Sequence, residues 1–458
     1  MNKPIGLGPT PSAALPADVQ DESLTNWAGW YGLLALTLIS VIAVVDRQVF
    51  VLAAGPIKAT LQLSDFELGL LQGLGVALFA AAAAYPFGWL SDRIDRRLVL
   101  VLGILIWSAA LGASALATSF ASLFFFASMV AAGESAIVPV SAALVADWFS
   151  GRARLLANSV AVIGGRLGGS LALVLCGYLL AFSDSVHPHL PNFIGRMETW
   201  RVAILLAACA APVLLILAST LPKGQRPQAG HSDSQRHIIS FGELLHYLRR
   251  RPRLFAGYFC GLGFVQFGFA AVFVWSPIVA ARIYQATPVQ VGNAFGLTLA
   301  FSVVSGMLFA FVAPRWLTPR WGARMPISIL MWVSLLVILP ALMMLLAGSF
   351  TAFFIQMGVF LLMTTVGHIM YLTTLQELAP RRMLGRIVAL VGVFQLTFSA
   401  MAPPLVGWLS DRLHGGRGLL DAMVGVAAVA FALSGWFLWL CSREYEAGVM
   451  AAKAYDAR

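Results

Sequence analysis

Residues 41–54 read VIAVVDRQVFVLAA, and they set two adjacent formal charges, Asp46 and Arg47, inside an apolar run that extends from Tyr31 to Ala54. A run of that length can cross a bilayer as a helix, which needs about 20 mostly apolar residues. A charge at such depth costs roughly 2.5 to 3.5 kcal/mol on insertion scales. It therefore faces a polar interior or a water-filled path, unless it closes on itself as an ion pair or snorkels to an interface. The dipeptide points to a solute path through a membrane.

Composition agrees. Of 458 residues 59% are hydrophobic and 11% charged, with a mean hydropathy of +0.83, far too apolar for a water-soluble chain of this length. Twelve apolar runs are centred near Leu38, Val76, Leu105, Ala132, Ala172, Leu206, Phe267, Val303, Leu335, Leu361, Phe398 and Ala430, which predicts an all-α membrane protein with both termini on one side. The net charge of +10 would suit nucleic acid or acidic lipid, but its distribution has a simpler meaning. With the N-terminus cytoplasmic, 22 Lys and Arg residues fall in inner segments and six in outer ones, leaving Arg47 and Arg166 within spans. The positive-inside rule then sets both termini in the cytoplasm. The first residues carry Asp18, Asp21 and Glu22 and no basic-then-apolar pattern, so no cleaved signal peptide is expected. Cys176, Cys209, Cys260 and Cys441 lie in or at the edge of apolar runs without paired spacing and read as packing residues, neither disulfides nor a metal site.

One long polar interruption divides the spans six and six. The expected organisation is a tail at 1–29, a six-helix bundle at 30–221, a linker at 222–253, a second bundle at 254–442 and a tail at 443–458. Within the linker, FGELLHYLRRRPRL (241–254) carries Phe241, Leu244, Leu245 and Leu248 at helical spacing beside Arg249 to Arg253. It is expected either to lie on the membrane with its apolar side down and its arginines near anionic headgroups, or to be a solvated charged linker. DWFSGRARLLANS (147–159) and ELAPRRMLGRIVA (377–389) match acid on acid at Asp147 and Glu377 and base on base at Arg152 and Arg382, which argues for duplicated halves. The hexapeptide GWLSDR also occurs twice, at 88–93 and 407–412. It ends an even-numbered span inside and an odd-numbered span outside, so it is a decoy for the repeat register.

GWLSDRIDRRLVL (88–100) resembles the loop between spans two and three of the major facilitator superfamily, G-x-L-x-D-R-x-G-R-R, with Asp95 for the second glycine. DRQVFVLAAGPIKATLQLSDFELGLLQGL, GESAIVPVSAALVADWF, ETWRVA, WSPIVAAR and APPLVGWLSD resemble its bacterial spinster-like branch. The Asp-Arg pair is also similar to that of organic anion:proton symporters in the same superfamily. The resemblance implies two pseudo-symmetric six-helix bundles around a cavity that opens alternately to each side, in a bacterial inner membrane, and a monomer with protons, membrane lipids and a small-molecule or lipid substrate as partners. Gly164, Gly165, Gly168 and Gly169 would let helices approach closely, and Pro403 with Pro404 would permit bending.

The charges then take roles. Glu134, midway along span four, is a candidate proton carrier, with Asp46 as a second; the plainer reading is an acid permanently paired with an arginine. In the spinster-like pattern an arginine usually lies seven residues before this glutamate, where this chain has Ala127. Arg166 on span five is expected to supply the missing charge to Glu134 or Asp46, or else to contact an anionic substrate. Arg47 is expected to meet the substrate, because a guanidinium grips a carboxylate or phosphate with two hydrogen bonds. His368, Tyr371 and Gln266 are softer candidates for the cavity wall, a lone histidine such as His368 being more often a hydrogen-bonded packing residue; Trp275, Arg282 and Gln395 cannot be ranked. By resemblance, Asp92 belongs to a network with Arg93, Arg96, Asp147, Arg152 and Arg154 that closes the cytoplasmic gate. The alternative is solvated surface charge, worth about 0 to 1 kcal/mol per pair. The C-half counterpart, RWLTPRWGAR (315–324), has Pro319 where the acid should be.

No GxSxG, HExxH or GxxxxGK[ST] occurs, which removes the expectation of an intramembrane hydrolase or an ATP-driven pump, and no cofactor beyond a proton gradient is implied. The expected function is proton-coupled secondary transport of an amphiphilic lipid such as a lysolipid or sphingoid compound. The alternative is proton-coupled symport of small carboxylates, and a non-transporting sensor on the same fold is a remote third.

Overall fold

The computed structural model describes residues 27–191, 195–223, 241–413 and 415–456. The expected tail up to residue 26 and the linker stretch 224–240 lie outside the described residues. The fold is all-helical. Twelve helices among the described residues are long and apolar enough to cross a bilayer: Trp27–Leu52, Asp65–Ser91, Arg96–Ser114, Phe120–Trp148, Ala153–His189, Thr199–Thr220, Pro252–Tyr284, Pro288–Ala313, Arg315–Leu346, Phe350–Leu378, Leu384–Arg412 and Gly418–Asp456. We number them as spans one to twelve. The last runs on as one helix to Asp456 through the segment expected as a tail from residue 443.

Prolines set several of the breaks in these helices, since a proline lacks a backbone donor and its ring collides with the carbonyl four residues back. Span one ends at Leu52, four residues before Pro56, and a short helix, Ala54–Leu61, follows. The same offset separates Ala208 from Pro212 in span six and Leu336 from Pro340 in span nine. In span four the helix stops at Glu134 and resumes at Ile137, with Pro139 directed at the Ser135 carbonyl. Span two carries a π-helical turn, Leu71–Gly75. Pro86, Pro277, Pro403 and Pro404 sit inside continuous helices.

The halves, spans one to six and seven to twelve, meet chiefly where span two packs on span eleven and span five on span eight. Adding six to each span number turns one contact into the other, as a pseudo-twofold relation requires. Both contacts are backbone-close. A Cβ on Gly73 would stand 2.5 Å from the Ala400 carbonyl oxygen, and one on Gly292 would stand 2.6 Å from that of Leu173. Of the four span-five glycines, Gly164 and Gly168 pack on Thr37 and Val41 of span one, whereas Gly165 and Gly169 face open space.

These contacts lie toward one end of the bundle, which we call the far end. The arginine-rich segments 93–97, 315–324 and 381–386 lie at the other, basic end. There the polar contacts run within each half: Arg96 pairs with Asp147, and Arg324 with Glu446 at 2.8 Å.

The linker contains a helix, Phe241–Arg249, but its apolar side does not lie free for lipid. Leu244 and Tyr247 are buried against the second half, in a cluster with Leu254, Phe255 and Leu378, and the Tyr247 hydroxyl donates to the Leu378 carbonyl at 2.9 Å. Burial pushes that hydroxyl up to about 12. An amphipathic pattern states that one face needs cover; protein supplies it.

Candidate functional site

Asp46 and Arg47 are neighbours on span one and so point about 100° apart. Asp46 turns into the first half, where it is 2% exposed beside Trp107 of span three, Cys176 of span five and the charge of Glu134. Arg47 turns to the cavity between the halves, with its side chain 53% exposed, and its guanidinium pairs with the Glu134 carboxylate, which is 3% exposed. The break after Glu134 leaves that acid at a helix end, where Gly103 and Gly133 bring spans three and four together; a Cβ on Gly133 would stand 2.7 Å from the Trp107 amide nitrogen. One oxygen of each acid, Asp46 Oδ1 and Glu134 Oε1, is buried without a hydrogen-bond partner among the described residues. Of the two acids, Glu134 takes the guanidinium and Asp46 makes no ion pair among the described residues.

Arg166 does not supply the charge expected of it. Span five meets span one through Gly164 and Gly168, and Arg166, two positions from each, lies about 200° round the helix from both. Its exposed side chain makes no ion pair or hydrogen bond among the described residues, and its charge reaches His368 instead. The base for Glu134 comes from span one, while Ala127 lines the same cavity wall as Arg47.

That cavity, of about 260 Å³, is walled by Val44, Phe50, Leu71, Val130, Phe273 and Val274, with Arg47, Gln48 and Gln72 as its polar members. Both polar atoms of the Gln72 amide are buried without a partner among the described residues, as is Gln266 Oε1 on span seven. His368 accords with its packing reading. Its Nδ1 lies 2.7 Å from the Thr364 carbonyl, which can only accept, so Nδ1 carries the proton. Its ring packs on Phe269 and Tyr371. The Tyr371 carbonyl accepts from the Tyr258 hydroxyl at 2.6 Å.

At the basic end the residues expected to form a gate make several contacts. Arg96 joins span three to Asp147 of span four, and Arg154 donates to the Ala146 and Phe149 carbonyls at 2.6 and 2.9 Å. Asp147 therefore pairs with Arg96, while Arg154 of its own loop bonds backbone carbonyls instead. Asp95 caps span three by accepting from the Arg97 amide at 3.0 Å, and Arg93 stacks on Trp89. The Asp92 carboxylate is exposed, with no partner among the described residues. The side chain of Arg152 lies outside the described residues.

The far end holds a cluster that reading the sequence missed. Asp65, at the start of span two, takes both guanidinium nitrogens of Arg282 from span seven at 2.6 and 2.9 Å, Lys58 at 2.6 Å and the Ser410 hydroxyl of span eleven at 2.8 Å. Asp411 accepts the backbone N–H groups of Asp65 and Phe66, both at 2.9 Å, two of the four donors that a helix start leaves orphaned. The available signals were the capping box Ser64-x-x-Glu67, which marks the helix start, and the second GWLSDR. Gln72 had one too: an amide flanked by glycines in an apolar span.

A chain with these features finds relatives. The family model of the Major Facilitator Superfamily matches residues 36–403. Protein spinster homolog 3 of Danio rerio is 24% identical over 270 residues, 58% of this chain and 51% of that protein, so the match spans about half of that relative. The hexuronate transporter of Escherichia coli (strain K12) is 22% identical over 428 residues, 89% of this chain and 93% of the relative. The sphingosine-1-phosphate transporter SPNS2 of Danio rerio is 29% identical over 178 residues, 38% of this chain and 33% of its own length. Among solved structures, a bacterial homolog of the human lysosomal transporter Spinster superposes with a TM-score of 0.77 at 21% identity, covering 92% of this chain and 98% of its own. With twelve spans in two facing bundles and a matched model over most of its length, the chain belongs to the Major Facilitator Superfamily and is a secondary transporter, not an enzyme.

Proposed function

We propose that the protein is a proton-coupled symporter of organic anions with an apolar body, a class that runs from small carboxylates to lysolipids and sphingoid phosphates. The observation that carries this reading is the charge count at the cavity wall: two buried carboxylates, Asp46 and Glu134, beside one guanidinium, Arg47. With both acids ionised, one negative charge is left uncompensated in a low-dielectric setting, which favours a proton shared between them. Arg47 is open to the cavity, so an entering anion competes with Glu134 for it. A buried carboxylate that loses its counter-charge is neutralised by a proton. Anion and proton then occupy the protein together, and that linkage is symport.

The apolar wall of the cavity supports a solute with a hydrocarbon body. The names of the relatives, a hexuronate transporter and a sphingosine-1-phosphate transporter, support a carboxylate or phosphate head. The excess of arginine at the basic end supports that end, with both termini, facing the cytoplasm of a bacterial inner membrane, and hence the described arrangement as closed to the outside. Proteoliposomes carrying a pH gradient test the coupling. Glu134→Gln is expected to abolish pH-driven accumulation while leaving solute exchange within about threefold of the parent. Unchanged accumulation would remove Glu134 from the mechanism.

A further inference from the structure

Gln72 is a buried amide that none of the described residues satisfies. Its nitrogen and its oxygen both lack a hydrogen-bond partner among the described residues, and it lines the cavity that Arg47 and Gln48 also line. An unmade hydrogen bond costs a buried polar group about 1 to 3 kcal/mol, so an amide left this way calls for something that completes it. The local backbone points the same way. Gln72 lies in the π-helical turn Leu71–Gly75, a geometry found mostly as single turns at functional sites. Two glycines of that turn face different neighbours: Gly73 meets span eleven at Ala400, and Gly75 meets Ser128 and Phe124 of span four, where a Cβ would stand 2.5 and 2.8 Å away. Gln72 lies between these glycines and Leu71 in the same turn and borders the cavity.

We infer that Gln72, with Gln48 beside it, is a neutral hydrogen-bonding subsite next to Arg47 and that it selects anions bearing hydroxyl groups near the charged head. The inference rests on the symport reading, which needs only the anion; the amides specify its neighbour. A primary amide presents two donors and one carbonyl acceptor, and a hydroxyl both donates and accepts. An aliphatic anion would enter the same cavity and leave the amide unpaired. Gln266 of span seven adds an acceptor from the second half. It sits seven residues before the cavity-lining Phe273 and on the same helix face, about 10 Å nearer the basic end. A polyhydroxylated head can thus engage both halves.

Matched probes test this on the purified full chain: glucuronate against cyclohexanecarboxylate, and lysophosphatidic acid against dodecyl phosphate, each titrated calorimetrically. At least one hydroxylated probe is expected to bind about tenfold or more tighter than its deoxy partner. Gln72→Leu is expected to collapse that ratio to within about twofold by weakening the hydroxylated member, and Gln48→Leu to reduce it. Arg47→Lys should weaken both members alike. A second readout needs no ligand: if Gln72 serves binding, Gln72→Leu should melt no lower than the parent, whereas a structural amide would lower Tm. Equal affinity within each pair, or a ratio that survives Gln72→Leu, would overturn the subsite while leaving the symport reading standing. Failure of every probe to bind, or indifference to Arg47→Lys, would overturn both.

Discussion

The hexapeptide GWLSDR occurs at residues 88–93 and again at 407–412, and its two copies are in opposite conditions. In both, arginine stacks on the tryptophan four residues earlier, Arg93 over Trp89 at 3.9 Å and Arg412 over Trp408 at 3.6 Å. Beyond that they diverge. In the first copy Ser91 donates to its own helix at Gly88, 2.7 Å away, and Asp92 is exposed and unpartnered among the described residues. In the second, Ser410 donates to Asp65, Asp411 caps span two, and Gly407 lies against the Asp65 backbone. Identical residues are engaged at the far end, where the halves pack, and lack partners beyond their own helix among the described residues at the basic end. Local sequence therefore fixes the helix end and the stacked arginine, while the helix packed alongside decides whether the serine and aspartate have partners beyond their own helix. Contacts made in one state alone bias an equilibrium between states.

The largest expected effect is at the far end. Asp65→Asn should leave Arg282 and Lys58 without their counter-charge and cost the closed far end about 2 kcal/mol or more. Labelling of single cysteines placed near Ser64 or Leu413 should then quicken by tenfold or more; an unchanged rate would mean that packing alone seals this end. Asp411→Asn keeps one acceptor and removes the charge, so about 1 kcal/mol is expected, read as a several-fold rise in the same labelling. Asp92→Asn should leave thermal stability within about 0.5 kcal/mol of the parent, since its carboxylate has no partner among the described residues. If the first copy engages when the basic end closes, the same variant should raise labelling at the basic end, and a fall in Tm would break the comparison. The feature the copies share should respond alike in both: Trp89→Leu and Trp408→Leu should each cost about 0.5 to 1 kcal/mol through the lost cation–π contact. A marked inequality between them would show that the stack, too, depends on state.

The twelve spans were legible because hydropathy is a local property that each helix must satisfy alone. The intramembrane charges were legible because each is too costly to be accidental. Their pairing was not. Arg47 and Arg166 both lie deep in spans, and only the helix faces, set by where Gly164 and Gly168 touch span one, decide that Arg47 meets Glu134. The far-end cluster was hidden for a different reason: two of its donors are backbone N–H groups of Asp65 and Phe66, which carry no sequence signal, and the second GWLSDR was read for what it said of duplication. The linker helix showed its apolar stripe but not whether lipid or protein would cover it; Tyr247 and Leu244 on the second half answer that. Gln72 was overlooked because a single amide in an apolar span is unremarkable until its two polar atoms are found without partners.

Direct measurement of protons on solute binding tests the symport reading most closely. Purified protein in weakly buffered detergent solution, mixed with an anion that it binds, should take up about one proton per bound anion, because the anion displaces Glu134 from Arg47. In Glu134→Gln binding should persist and the uptake should vanish. Binding without proton uptake in the parent, or equal uptake in Glu134→Gln, would contradict the exchange of partners at Arg47 on which the coupling depends.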